Sequence, residues 1–85
     1  MYRLEIADYA KSIIAKQNPK NQRLLQSKLD DLEQGNFSGD KALKGRHKGK
    51  FRKRAGDFRI IYLKSEEVLL VCVIHIGHRK DIYKD

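Results

Sequence analysis

The stretch Val68-Leu69-Leu70-Val71-Cys72-Val73-Ile74-His75-Ile76 constrains the fold more than any other part of the chain. Its β-branched residues lose rotamer freedom in a helix and pack well on a pleated surface. It falls well short of the roughly 20 apolar residues that a membrane-crossing helix requires. The run therefore reads as a strand within a sheet. Its unbroken apolar content, without polar alternation, predicts the central strand, covered on both faces. Such a strand needs neighbours beside it and a layer above it.

The remaining sequence supplies both. Lys50 to Arg54 and Phe58 to Leu63 read as two strands joined through Ala55-Gly56-Asp57, a tight turn with glycine where positive φ is needed. Lys64 to Glu67 reads as the turn into the long strand, and Gly77 as its break. Tyr2-Arg3-Leu4-Glu5-Ile6 alternates as a short opening strand. Two helices are expected between these parts. Ala7 to Gln17 carries Tyr9, Ala10, Ile13 and Ile14 at helical spacing. Pro19 to Gln34 carries Leu24, Leu25, Leu29 and Leu32, with Lys28 at the edge of the stripe. Asn18 suits an N-cap, Pro19 the first helical position and Gly35 a left-handed C-cap. The short join makes the helices an antiparallel hairpin. Residues 36 to 49 read as a loop anchored into the core by Leu43. The expectation is one α+β domain over residues 1–85, ordered β-α-α-β-β-β. Its N-terminal helical hairpin packs on one face of a small, mostly antiparallel sheet and leaves the other face partly open.

A chain of 85 residues buries only about two-thirds of its unfolded surface, so a shallow groove is easier to build than a deep pocket. Lys and Arg number 19 against 11 Asp and Glu, a formal net charge of +8. That charge steers polyanions to the surface. Nucleic acid is the first expected partner, an acidic protein segment the second and an anionic membrane a distant third. No apolar run is long enough to span a bilayer, and the N-terminus lacks a basic-then-apolar signal pattern. The single Cys72 cannot form an internal disulfide, in keeping with a reducing, cytoplasmic setting.

Strand alternation puts Lys50, Arg52 and Arg54 on one side. With Gly56-Asp57 as a two-residue turn, Arg54 lies opposite Arg59 on that face; a three-residue turn would scatter the group. Like charges across a strand pair are unfavourable unless an anion visits. Arg59 opens an otherwise apolar strand and is suited to clamp a phosphate through two parallel hydrogen bonds. The plainer reading is a salt bridge to Asp57 or Asp81. His78, Arg79 and Tyr83 occupy the tail. Cleavage of a phosphodiester by the neighbouring ribose hydroxyl needs a proton acceptor, cations on the crowded phosphate and an acid for the leaving oxygen. Tyr83 suits the first task if nearby arginines lower its phenol pKa, or it stacks on a base, or it merely packs. Imidazole is a side chain able to give or take a proton near neutral pH, so His78 suits either proton role, or lies idle at the surface. Cys72, His75 and His78 are poorly spaced for zinc, since Cys72 and His75 face opposite ways on a strand. Gly45 to Lys50 has the wrong glycine spacing for a phosphate loop. No metal or cofactor is expected.

Two blocks carry a resemblance to a known family. Arg54-Ala55-Gly56-Asp57-Phe58-Arg59-Ile60-Ile61-Tyr62, followed by Val73-Ile74-His75-Ile76-Gly77-His78-Arg79-Lys80-Asp81-Ile82-Tyr83, is similar to the RelE/ParE toxin superfamily, in particular its RelE-like members. Leu43-Lys44-Gly45 resembles the step before their basic strand. The resemblance spans essentially the whole chain. It implies a metal-independent, ribosome-dependent endoribonuclease, the toxin of a type II toxin–antitoxin pair, which cuts messenger RNA in the ribosomal A site by 2′-hydroxyl attack. Arg59 and Arg79 then match the phosphate-clamping arginines, and Tyr83 the catalytic tyrosine. Arg52 and Arg54 match basic strand positions, with Lys50 nearby. Where relatives often carry lysine, Arg52 cannot serve as a base, and the general acid stays open among Lys50, His78 and Arg52. The resemblance also implies a RelB-like antitoxin covering the basic face, with the toxin monomeric inside a hetero-oligomer. ParE-type relatives share the fold but bind DNA gyrase without cutting RNA, and a degenerate member would bind only its antitoxin.

Overall fold

Arg3–Ile6 (β1), Leu70–His78 (β5), Phe58–Ser65 (β4), Phe51–Ala55 (β3) and Lys41–Ala42 (β2) lie side by side in that order as one five-stranded sheet. The structure is a computed structural model and describes residues 1–78. β1 runs parallel to β5, and every other pair is antiparallel. Asp8–Ala15 (α1) and Pro19–Glu33 (α2) connect β1 to the rest, and both cover the same face of the sheet. Ala10 from α1 and Leu25, Leu29 and Leu32 from α2 meet Ala55, Ile60, Tyr62, Val71, Val73 and Ile76 in a single buried core. Each fully buried leucine contributes about 1.5–3 kcal/mol through loss of water contact.

The punctuation expected of the helical hairpin is present. The Asn18 side chain accepts a hydrogen bond from the Asn21 amide at 2.8 Å, and Pro19 occupies the first turn. The carbonyls at the end of α1 are also met by side-chain amides: Gln17 donates to Ile13 and Gln22 to Ile14, both at 3.1 Å. Gly35 closes α2 at φ +79°, and an added Cβ there would stand 3.2 Å from the Tyr2 ring.

Four details differ from the sequence expectation. β4, not β5, is the middle strand, and among the described residues the helices cover β5 on one face only: Val71, Val73 and Ile76 are buried while Leu70, Cys72 and Ile74 are half-buried. The alternation is hidden by a bulge, since Tyr62 pairs with Val73 and Ile61 with His75, leaving Ile74 as the extra residue. Buried positions are odd before the bulge and even after it, so the run looks apolar throughout. β5 also starts later and ends later than expected. Val68 and Leu69 are exposed, Leu69 at φ +51°, and Gly77 stays in the strand opposite Arg59. The loop's anchor is Phe37, which packs edge-on to Tyr2 and stacks on Tyr62, whereas Leu43 is half-buried outside the core. Finally, the loop contributes the two-residue β2, whose Lys41 pairs with Arg52 and Ala42 with Phe51.

Candidate nucleic-acid interface

Ala55 pairs directly with Phe58, so Gly56-Asp57 is a two-residue turn and Arg54 stands opposite Arg59. Gly56 takes φ +61° there, and its carbonyl accepts a 3.3 Å hydrogen bond from Arg54 Nε. Paired residues of an antiparallel ladder point to the same side. Lys41, Arg52, Arg54 and Arg59 therefore share the face that the helices leave open. They line, with Gly39, a hollow of about 310 Å³. Opposite Arg59 on its other side is Gly77, which has no side chain. Clustering cations across strand pairs costs on the order of a few tenths of a kcal/mol per pair, a cost that an anion in the hollow would reverse.

Lys53, between the two arginines of β3, points the other way. Only 4% of it is exposed. Its ammonium donates to Asp40 Oδ1 at 3.0 Å and to the Asn36 carbonyl at 3.2 Å, while the Tyr62 hydroxyl donates to Asp40 Oδ2 at 2.5 Å. Burial, and then the hydrogen bond to and charge of Asp40, push the Tyr62 phenol far above its ordinary pKa. Tyr62 is thus a fixed donor, not a base. The buried group pins residues 36–40 against β3, which sets Gly39 and Lys41 at the rim of the arginine hollow. A larger depression of about 530 Å³ lies beside this group, lined among others by Lys28, Asp31, Asp40 and Lys53. It mixes both signs of charge, whereas the smaller hollow gathers one sign, and anion chemistry belongs to the latter.

The structure brings together Arg52, Arg54 and Arg59 of the expected site and adds Lys41. It does not add Lys50, which precedes the first residue of β3 and is absent from the lining of the hollow. Nor does it add His78. That residue pairs with Phe58, on the helix side of the sheet, and meets its ring edge-on at 5.8 Å. His78 lines a different recess, with Gln17, Lys20, Asn21 and Arg54 among its neighbours. Arg79 and Tyr83 lie outside the described residues. His75 stacks on Tyr9, ring centroids 5.2 Å apart, and burial lowers its pKa below the ordinary imidazole value. Among the described residues no cluster of His, Cys, Asp and Glu is suited to hold a metal ion, and no helix is long and apolar enough to cross a membrane.

Lys41 and the Lys53–Asp40 pair were not singled out from the sequence. Two residues of β2 are too few to show a period. The buried pair did leave a trace: a lysine on the core-facing side of a strand requires an acid, and Asp40 is the sole carboxylate between residues 36 and 49.

The family described as the ParE toxin of type II toxin–antitoxin systems, parDE, matches residues 3–83. The chain belongs to this family. It is a type II toxin of the RelE/ParE superfamily, and solved structures agree on the fold. The toxin–antitoxin complex RelBE2 from Mycobacterium tuberculosis superimposes with a TM-score of 0.81 at 23% identity, covering 92% of this chain and 98% of that one. The archaeal RelE–RelB complex from Pyrococcus horikoshii gives 0.80 at 20% identity, covering 95% and 98%. The intact E. coli RelBE toxin–antitoxin complex gives 0.71 at 25% identity, covering 92% and 96%. None of the curated proteins matches the chain. In this ParE-family toxin the sheet face away from the helices is thus the cationic one. Its guanidinium groups can hold and neutralise a phosphate, but they cannot take up a proton.

Proposed function

We propose that this toxin is an endoribonuclease that cuts messenger RNA in the ribosomal A site. The observation that carries the reading is the register of β3 with β4, which gathers Arg52, Arg54 and Arg59 on the face opposite the helices. The ribose 2′-oxygen attacks the adjacent phosphorus while the P–O5′ bond breaks, giving a 2′,3′-cyclic phosphate and a 5′-hydroxyl. Arg59, flanked by Arg54 and Arg52, stabilises the charge that builds on the pentacovalent phosphate. Tyr83 takes the 2′-hydroxyl proton and Arg79 adds a second clamp. Both follow His78, whose strand ends beside Phe58 and Arg59. An arginine donates hydrogen bonds to the leaving 5′-oxygen without losing its own proton, so the proton that oxygen finally receives comes from Lys50, His78 or water. His78, on the far side of the sheet, reaches the phosphate only around the end of β4.

The partner is an antitoxin, which the toxin–antitoxin complexes of the similar RelE proteins support; its acidic or mixed amphipathic segment covers the cationic face and packs on the helical hairpin. The match to a ParE family supports one rival, a toxin that binds DNA gyrase and cuts no RNA. Induction in cells, followed by mapping of messenger 5′ ends over ribosome-occupied codons, separates the two. Cuts within A-site codons are expected. Intact messengers with accumulating DNA breaks would favour the rival.

A further inference from the structure

Around the end of the sheet from the arginine hollow lies an aromatic shelf that the cleavage chemistry does not use. Tyr9, in the first turn of α1, is 57% exposed although its ring lies nearly flat on the His75 imidazole, the planes 11° apart. One ring face rests on imidazole and the rest meets water. His75 is accessible to Tyr9 because β1 ends at Ile6, opposite Val73, and no described strand flanks β5 on that side beyond it. Beside the pair is a recess of about 290 Å³, with Ile13, Phe58 and Ile76 as its apolar wall and Gln17 among its polar groups. That is the scale of one nucleotide rather than of a protein segment.

The recess adjoins the arginine hollow through one further depression. Gln17, Phe58 and His78 also line that depression, whose charged groups are Lys20, Arg54 and Asp57. Arg54 in turn lines the hollow with Arg52 and Arg59. A path with Arg54 and Lys20 as its cations, and Asp57 beside them, thus leads from the phosphate clamp to an exposed ring. Single-stranded nucleic acid is held by this combination, with the charges tracking the backbone and the ring taking a base.

We propose that Tyr9, backed by His75, is a stacking platform for the base of a nucleotide flanking the scissile phosphate, in a single strand of RNA that passes Arg54 and Lys20. The proposal rests on the endoribonuclease reading and adds a subsite to it. Every base has a π-face, so the shelf supplies affinity and register rather than sequence choice. It takes no part in bond making.

The test is equilibrium binding of a short fluorescent single-stranded RNA to the purified toxin and its variants, at several salt concentrations. Tyr9→Ala is expected to weaken binding about ten-fold, the usual loss for one base–aromatic stack. Tyr9→Phe should bind as the parent does. Because no phosphate contact is lost, Tyr9→Ala should keep the parent's salt slope, whereas Arg59→Ala should reduce that slope by about one. The chain has no tryptophan, so Tyr9→Trp gives a unique reporter, and RNA should quench it. If Tyr9→Ala binds like the parent, or the Tyr9→Trp emission ignores RNA, the shelf is refuted and the cleavage reading stands. If the parent binds no RNA and, on programmed ribosomes, Arg59→Ala cuts messenger as the parent does, both fall together.

Discussion

One strand, β3, carries three successive cations to opposite ends. Lys53 enters the helix-covered side, where an acid, a carbonyl and a phenol close around it. Arg52 and Arg54 emerge on the other side and meet further cations, Lys41 and Arg59. The inward charge is buried with its acid and holds the fold together. The outward ones gather a single sign of charge on one face. A gathering of like charge at a surface hollow is informative about function in a way that a buried structural ion pair is not.

The contrast can be broken at several points. The largest effect should follow Asp40→Ala, which leaves Lys53 buried without its counter-charge and the Tyr62 hydroxyl without its acceptor. Breaking such a pair costs about 3–5 kcal/mol, enough to unfold a marginal domain, and urea denaturation measures it. A loss below about 1 kcal/mol would mean that Lys53 finds water easily. On the other face, Arg59→Ala should lower RNA cleavage by about 100- to 1,000-fold, the usual loss for one transition-state donor. Its stability should stay within about 0.5 kcal/mol of the parent. Parental activity with lowered stability would reverse the roles assigned to the two faces.

Smaller changes sharpen the contrast. Gly56→Ala forces a side chain into φ +61° and places its Cβ 2.8 Å from Leu24 Cδ2. A loss of about 1–3 kcal/mol is expected. The Arg54–Arg59 pairing should loosen with it, which amide exchange in β3 and β4 would detect. The least effect concerns His75. Its pKa is lowered in the fold, so the unfolded chain takes up the proton first as pH falls. The stabilisation is complete above the ordinary imidazole value of about 6.5 and is lost as pH drops through the lower folded value. His75→Gln should therefore flatten the fall in melting temperature on acidification. An unchanged acid limb would assign that fall to other groups.

Much of the architecture was legible because local signals and tertiary packing agree. Asn18-Pro19 and Gly35 punctuate the helical hairpin, and the leucines of α2 keep their period. The Gly56-Asp57 turn sets a register that can be worked out on paper, so Arg54 opposite Arg59 was foreseeable. Centrality of a strand was not. The bulge at Ile74 changes the parity of β5 midway, and the run then imitates a strand covered on both faces. A glycine in a strand resembles a stop signal, yet Gly77 continues pairing, opposite Arg59. His78 was grouped with the arginines by sequence proximity to Arg79, whereas its pairing with Phe58 turns it to the helix side. Lys41 depends on a two-residue strand held in place by Asp40, a tertiary effect with no local period.

The central claim is that the outward guanidinium groups of β3 and β4 cradle the phosphate that is cut. Primer extension on messenger bound to programmed ribosomes, with parent and Arg59→Ala toxins of matched urea midpoint, tests it most directly. A break at the A-site codon with the parent, nearly absent with the variant, is the predicted result. Equal breaks with both proteins, or none with either while gyrase stalls on DNA, would contradict it.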